Sequence, residues 1–559
     1  MEHCEICDQS CLPADNTCVP CSGPCGGTVH ARCATFSGLT LTTVDGLFWF
    51  CDRCQRGLRP LAKANASSPV DLPELPTEMW IEVFQSLPAG MLAKVRLVCR
   101  RWRDIVAGCP TLLSKLTVSF RWSTEDRKFK PDHLLPVAKA SFISIKGIGS
   151  WWHSYGPGLT EIAIEHFCMA PFHLIKLSDL LAMLKHTPNL KRFALIGCIL
   201  TGKRSGRPDF HLNKLETLIL EDILELGKYL RIFRKLFAPS PVKSLKIAWS
   251  ENAGHTAAAE PSEMAQIVED SEATLEELNI NCSYIFLFEM MFLRELRLKK
   301  VTLANEDYED KSRLLMEWFE MLPGLEFVDV SDMLVFSEDN ASMLNEIGQL
   351  LPRLKFLSIY VAHVDVSFLC KIPNLQTFKL HGDEDTFKLI RSNECDEKLS
   401  NMRELHLWQV KIPNTWLATL PNLRTLNLTS CSIDSWSDFL DALESLQCLE
   451  TLTLVMTSAN ATEPSPGTRR RSALPRLRQF KYESYDKATD DAFGELLAMC
   501  SELRDLELEL VQLNDAILGA IFQHLRQLRK LIATGCGTSR AMESHIRQHC
   551  RSLEELKFG

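Results

Sequence analysis

Leu423-Arg-Thr-Leu426-Asn-Leu428 is one line of a phrase that the chain keeps restarting. Leu449-Glu-Thr-Leu452-Thr-Leu454 and Leu503-Arg-Asp-Leu506-Glu-Leu508 repeat it, and further starts fall at Leu477, Leu528 and Leu553. From Leu423 onward the starts are 26, 28, 26, 25 and 25 residues apart. A steady period in this range marks a chain built from stacked units of one strand and one helix. The second and third leucines are two residues apart, which gives the strand one buried face, and the residues between them point the other way. No unit covers its own strand edge or helix face, so stability comes from stacking on neighbours.

Toward the amino terminus the phrase returns at Leu190-Lys-Arg-Phe193-Ala-Leu195, Leu215-Glu-Thr-Leu218-Ile-Leu220, Leu275-Glu-Glu-Leu278-Asn-Ile280 and Leu293-Arg-Glu-Leu296-Arg-Leu298. Other starts are Leu325, Leu354, Leu375 and Met402. Spacing in this half is irregular, from 18 to 33 residues when a weak phrase at Val242 is counted, which predicts insertions or degraded repeats. Weak phrases near Leu113, Ala140 and Leu159 extend the array back toward residue 113. The phrase and its period resemble a leucine-rich repeat. The resemblance implies an α/β solenoid, a horseshoe over residues 113–559 whose strands line a concave parallel sheet.

Residues between the repeat leucines face outward on such a sheet: Phe327 and Asp329, Phe356 and Ser358, Glu404 and His406, Asp505 and Glu507. Acids, polar groups and occasional aromatics suit a protein ligand better than phosphate or a small molecule. Phe327, Phe356 and His406 are the candidate target-binding residues. Cys198, Cys431 and Cys536 each stand eight residues after a first leucine. By the resemblance this is the Asn/Cys position, where a small polar side chain satisfies backbone groups as the chain leaves the strand. That predicts buried structural thiols rather than reactive ones. Residues 459–475 depart from the repeat and carry Arg469-Arg470-Arg471, read as a surface insertion.

The amino-terminal end has a different composition. Nine of the 21 cysteines fall in the first 54 residues, which points to metal ligands if the compartment is reducing. The series is Cys4-x2-Cys7, Cys21-x3-Cys25, His30-x2-Cys33 and Cys51-x2-Cys54. Each pair has the short spacing that brings two ligands to one tetrahedral zinc. Eight ligands make two closed, structural sites, with metal binding supplying on the order of 10 kcal/mol per zinc toward folding. The order of four cysteines, one histidine and three cysteines, with Trp49 two positions before Cys51, resembles a PHD finger over residues 1–57. That resemblance implies interleaved sites, Cys4, Cys7, His30 and Cys33 on one zinc and Cys21, Cys25, Cys51 and Cys54 on the other. The RING type shares the ligand order and is the second resemblance. Cys11 and Cys18 are spare, and Cys18-x2-Cys21 is an alternative second pair. No aromatic lies between Asp8 and Pro20 to build a cage for methyl-lysine, which argues against histone reading.

Residues 58–74, rich in Pro, Ala and Ser, read as a linker. Thr77 then stands as a candidate cap, and Met79, Trp80, Val83, Phe84 and Leu87 share one helical face. Pro88-Ala89-Gly90 ends that helix. A second helix is expected with Leu92, Val95, Val98, Cys99, Trp102, Ile105 and Val106 on one side. So much apolar surface on so short a segment requires a partner. Leu75-Pro76-x-Glu78, Val83-Phe84-x2-Leu87 and Val98-Cys99-Arg100-Arg101-Trp102 resemble the F-box, placed at residues 75–112. The resemblance implies docking onto the Skp-family adaptor of an SCF-type cullin ubiquitin ligase. The candidate adaptor-binding residues are Leu75, Pro76, Glu78, Val83, Phe84, Leu87, Leu92, Val95, Cys99 and Trp102.

Composition closes off other classes. The formal net charge of −9, with both signs interspersed, opposes broad nucleic-acid binding. The start, Met-Glu-His-Cys-Glu, lacks the pattern of a secretory signal, and the greasiest stretch, Tyr284 to Leu293, is too short to span a bilayer. An intracellular protein of cytoplasm or nucleus is expected. No phosphate-binding loop, Gly-x-Ser-x-Gly elbow or His-Glu-x2-His occurs. The expected function is a non-catalytic substrate receptor. The alternatives make the zinc finger the working site, as a RING-like ligase or a chromatin-associated binding module.

Overall fold

The computed structural model describes residues 75–120, 137–145, 149–166, 173–202, 208–248, 261–305, 312–332, 343–360, 366–382, 399–412, 414–459, 471–484, 490–537 and 540–559, with four short strands before residue 31. The chain forms two compact units, Met1–Leu159 and Thr160–Gly559.

In the first unit Glu2–His3 pairs antiparallel with Ser10–Cys11, and Cys18–Pro20 with Thr28–His30, placing Cys18 opposite His30. The side chains of all eight zinc-ligand candidates, Cys4, Cys7, Cys21, Cys25, His30, Cys33, Cys51 and Cys54, lie outside the described residues, as does the linker over 58–74. Among the described residues no group of His, Cys, Asp and Glu is placed to hold a metal.

Four helices follow: α1 (Thr77–Gln85), α2 (Ala89–Val95), α3 (Arg100–Gly108) and α4 (Pro110–Leu113). Thr77 is the first helical residue and not the cap. Pro76 occupies that position, and no side chain bonds the open amides. Glu78 in the first turn places negative charge where the helix dipole favours it. The single second helix expected from periodicity is two. Residues 96–98 form a turn, and Cys99 is extended (φ −154°, ψ 166°), its Sγ accepting the Trp102 amide at 3.5 Å to cap α3. A thiol acceptor and an extended residue restart the helix, so the faces before and after Cys99 are not continuous. Phe84, Leu92, Ile105, Val106, Leu112 and Leu116 form the core, with Trp80, Ile81, Leu87, Val95 and Trp102 packed around it. Trp102 lies 4.7 Å from Trp80 and edge-on to Phe84 at 5.4 Å. The unit continues beyond residue 112 into the parallel strands Thr117–Phe120 and Lys139–Phe142, where Phe120 stacks on Phe142 at 4.6 Å.

The second unit is a parallel ladder running from Glu161–Glu165 to Glu555–Phe558. Leucine meets leucine across it: Leu405, Leu426 and Leu452 are in register, followed by Phe480, Leu506, Leu531 and Leu556. From Arg192 on, the strands begin two residues after a first leucine or its equivalent, with one correction. The phrase at Leu293 does not start a strand. The strand is Lys300–Asn305, started by Leu298, with Val301 and Leu303 buried. The helix Tyr284–Met290 fills the space immediately before Leu293, and the chain needs the intervening residues to return to the ladder. With Leu298 as the start, the neighbouring spacings become 23 and 27 residues, much nearer the period of the regular half than the 18 and 32 that Leu293 gives.

Among the described residues, seven strands leave the ladder by the same device. The seventh residue after the first leucine takes a left-handed backbone in repeat after repeat: Gly197, Asp222, Gln409, Ser430, Met456, Leu510 and Gly535. The eighth turns inward. The Cys431 thiol donates to the carbonyls of Leu407 and Thr429 at 3.3 and 3.4 Å, and Cys536 does the same to Leu508 and Thr534 at 3.5 and 3.3 Å. Thr457 fills the position with a hydroxyl, donating to Leu428 and Val455. Burial pushes the Cys198 thiol up to about 12 and Cys431 up to about 11, which makes both inert. Cys370, by contrast, is disulfide-bonded. Helices cover the ladder by the usual spacing: Trp436–Ser445 buries Phe439, Leu440, Ala442 and Leu443. No helix among the described residues is long and apolar enough to cross a membrane.

Candidate protein-binding surfaces

The first surface lies on the helices of the first unit. Leu75, Met79, Val83, Met91, Leu97 and Val98 are exposed, from 38% for Leu75 to 78% for Leu97. They are exposed because the core beneath is already complete. Phe84 and Leu92 are 1% and 0% exposed and fill it, so neither offers a surface to a partner. Of the other residues singled out from the sequence, Leu75, Pro76, Glu78, Val83 and Cys99 are exposed, while Leu87, Val95 and Trp102 are half-buried. The candidate adaptor residues left out Met79, Met91, Leu97 and Val98, although Met79 and Val98 stand on the apolar faces read from the sequence. The turn at 96–98 leaves Leu97 and Val98 exposed, and no periodicity announces it. Arg101 donates to the Leu75 carbonyl at 3.0 Å, tying α3 to the start of α1.

The second surface is the outward side of the ladder, where alternate residues stand half-exposed between buried leucines. Four successive strands, Phe327–Asp332, Phe356–Tyr360, Thr377–His381 and Glu404–Trp408, concentrate its aromatic rings. Phe327 and Phe356 are register partners and stack at 3.9 Å with 9° between planes. Tyr360, His381 and Trp408 share a row, and the His381 and Trp408 rings stack at 4.2 Å. His406 lies parallel to Trp408 at 5.9 Å. The structure therefore brings Phe327, Phe356 and His406 onto one face and adds Tyr360, His381 and Trp408. These three were legible by parity, each four residues beyond the first outward residue of its strand. Ser358 departs from its expected role: it is only 1% exposed, and its Oγ has no hydrogen-bond partner among the described residues.

Cations ring this patch. The Lys300 Nζ lies 4.6 Å from the Phe327 ring centre, and Lys379 Nζ lies 5.3 Å from that of Phe356. Burial first, and Lys379 second, hold the His406 imidazole below the usual histidine range, with Glu404 opposing them. His406 is thus a neutral ring at neutral pH. The patch carboxylates are engaged: Asp329 accepts from the Ser331 amide and hydroxyl, and Glu404 from Thr377 Oγ1. An apolar, aromatic centre with a charged margin is the anatomy of a protein-binding hot spot.

Residues 72–118 match the F-box-like family. Comparison with curated protein sequences finds no match. Among solved structures, the chain is similar to an internalin (inlF) from Listeria monocytogenes, at 14% identity and TM-score 0.36, over 68% of this chain and 88% of that one. It is also similar to the TLR13–ssRNA13 complex, at 15% identity and TM-score 0.38, over 80% of this chain and 72% of that one. In chain order, then, a helical F-box-like region precedes a parallel-strand solenoid of leucine-rich-repeat type.

Proposed function

We propose that this chain is the substrate-recognition subunit of an intracellular SCF-type cullin ubiquitin ligase. The F-box-like helices bind the Skp-family adaptor, and the aromatic side of the ladder holds the target protein. One observation carries the reading: six large apolar side chains of the F-box-like segment stay exposed above a core that is already closed. Surface of this kind marks a docking site, and the F-box-like match supports the adaptor as its occupant. Phe84 and Leu92 then act by holding the helices in place, and Leu75, Met79, Val83, Met91, Leu97 and Val98 make the contact. The chain itself needs no catalytic residue. It raises the effective concentration of target lysines near a charged conjugating enzyme supplied by partners.

In the same proposal the amino-terminal finger is a structural module with two zinc ions. The antiparallel pairing of Cys18–Pro20 with Thr28–His30 supports it, since the sequence between those strands carries Cys21 and Cys25 and the second strand ends on His30. Two zinc per chain by elemental analysis, falling in Cys4→Ser and Cys21→Ser variants, is the expected result. For the receptor reading, affinity purification with mass spectrometry compares wild type with Leu75→Ala/Pro76→Ala. Adaptor and cullin peptides are expected to disappear while other partners stay. Unchanged recovery of adaptor and cullin would refute the proposal.

A further inference from the structure

We infer that the aromatic patch of the ladder takes an extended acidic segment of its target, of the form acidic–x–apolar–x–acidic. This rests on the receptor reading above and names the chemistry of what is received.

The argument begins with which groups have partners. On the outward side of the ladder Lys246 pairs with Glu221 at 2.7 Å, Lys481 with Glu509 at 3.1 Å and Glu507 at 3.6 Å, and Lys557 with Glu555. Among the described residues Lys530 makes no such pair, and nor do Lys300 and Lys379, whose setting is different. Neither has a carboxylate partner among the described residues, and each ammonium sits over the edge of the aromatic stack. Asp329, Glu404 and Glu277, the nearby acids, already accept hydrogen bonds from Ser331, Thr377 and Ser244, and Glu277, the register partner of Lys300, makes no ion pair with it. An ammonium has three donors and no acceptor, so two cations without ion pairs on either side of an aromatic stack favour carboxylates brought from outside.

Geometry sets the spacing. The three contacts from Lys300 to Phe327, Phe327 to Phe356 and Phe356 to Lys379 span at most about 14 Å end to end. An extended chain advances roughly 3.3 Å per residue and alternates its side chains. Two carboxylates four residues apart then face the same way about 13 Å apart, with the residue midway between them on that same face. That middle side chain meets the Phe327–Phe356 stack, and an apolar group there displaces water from both rings. The neutral His406 and the Trp408–His381 stack continue the apolar floor on the next strands.

The test uses the full-length chain, panned against a random nonapeptide display library, with enriched peptides resynthesised and measured by fluorescence anisotropy. Enriched sequences are expected to carry the acidic–x–apolar–x–acidic pattern. Their binding to the unaltered chain should weaken as salt is raised, and should weaken at least tenfold in Lys300→Gln/Lys379→Gln with less dependence on salt. Lys481→Gln, a cation on the same side with partners of its own, should leave binding unchanged. Thermal unfolding of the Lys300→Gln/Lys379→Gln variant checks that it is folded. Peptides that need Phe327 and Phe356 but carry no acidic residues would overturn this inference and leave the receptor reading standing. No enrichment, or enrichment that survives Phe327→Ala/Phe356→Ala, would overturn this inference together with the placing of the target on the aromatic side of the ladder, while adaptor docking is judged separately by the affinity purification above.

Discussion

Between residues 75 and 98 six large apolar side chains are exposed, whereas every repeat leucine from Leu375 to Leu454 is at most 2% exposed. Both regions are rich in leucine and valine, and both alternate greasy and polar positions. The difference lies in whether the chain supplies the next layer. Each strand of the ladder before Glu555–Phe558 is followed by another that helps cover its leucines, so the core extends by repetition. The F-box-like helices have one small core, and once Phe84, Leu92, Ile105 and Val106 fill it, nothing in the described residues covers the rest. Exposed apolar surface is therefore informative in the first region. In the second, the information lies in the half-exposed residues between the leucines.

The largest effect expected from this contrast is in the ladder core. Phe378→Ala, at a 0% exposed position, should cost about 3–5 kcal/mol in urea denaturation because the cavity cannot collapse between two fixed neighbours. Met79→Glu/Val83→Glu should behave in the opposite way, changing stability by less than about 0.5 kcal/mol. Its adaptor affinity should nonetheless fall at least about a hundredfold, near 2.7 kcal/mol, as charge is forced into a dry contact. A stability loss like that of Phe378→Ala in this variant would mean the helices are packed within the chain, and the contrast would be gone.

Smaller effects sharpen the comparison from inside the repeats. Cys431→Ala removes a thiol that serves two carbonyls and should cost about 1–3 kcal/mol, while native Cys431 should resist alkylation at neutral pH. Met456→Gly should stabilise by about 0.5–1 kcal/mol in thermal unfolding. Met456 holds a left-handed backbone (φ 49°) with its side chain exposed, so glycine relieves strain at little packing cost. The smallest effect belongs to His406. Its folded-state affinity for protons lies below the ordinary value of 6.5, so the unfolded chain binds more protons as pH falls. The stability contribution of neutral His406 is present above about pH 6.5 and is lost as pH drops below it. His406→Gln should flatten that part of the stability–pH curve, measured by denaturation between pH 7.5 and 5.

The amino-acid sequence alone determined the repeat, its period and the parity of its strands, because side-chain alternation is local and the phrase recurs often enough to rule out chance. It also determined the F-box-like segment, whose wording is compact and continuous. Three things were decided only in three dimensions. The strand at Lys300–Asn305 displaced the competing phrase at Leu293, since two overlapping leucine patterns are equal on paper and only the return path from a helix chooses between them. Cys99 split one expected helix into two, and the turn before it left Leu97 and Val98 exposed while Ile105 and Val106 fill the core. The aromatic patch needed the ladder register, because Phe327, Phe356, His381 and Trp408 are scattered over four repeats and become neighbours only when parallel strands align them. Periodicity tells each residue which way to point; packing against residues far along the chain tells it what it meets.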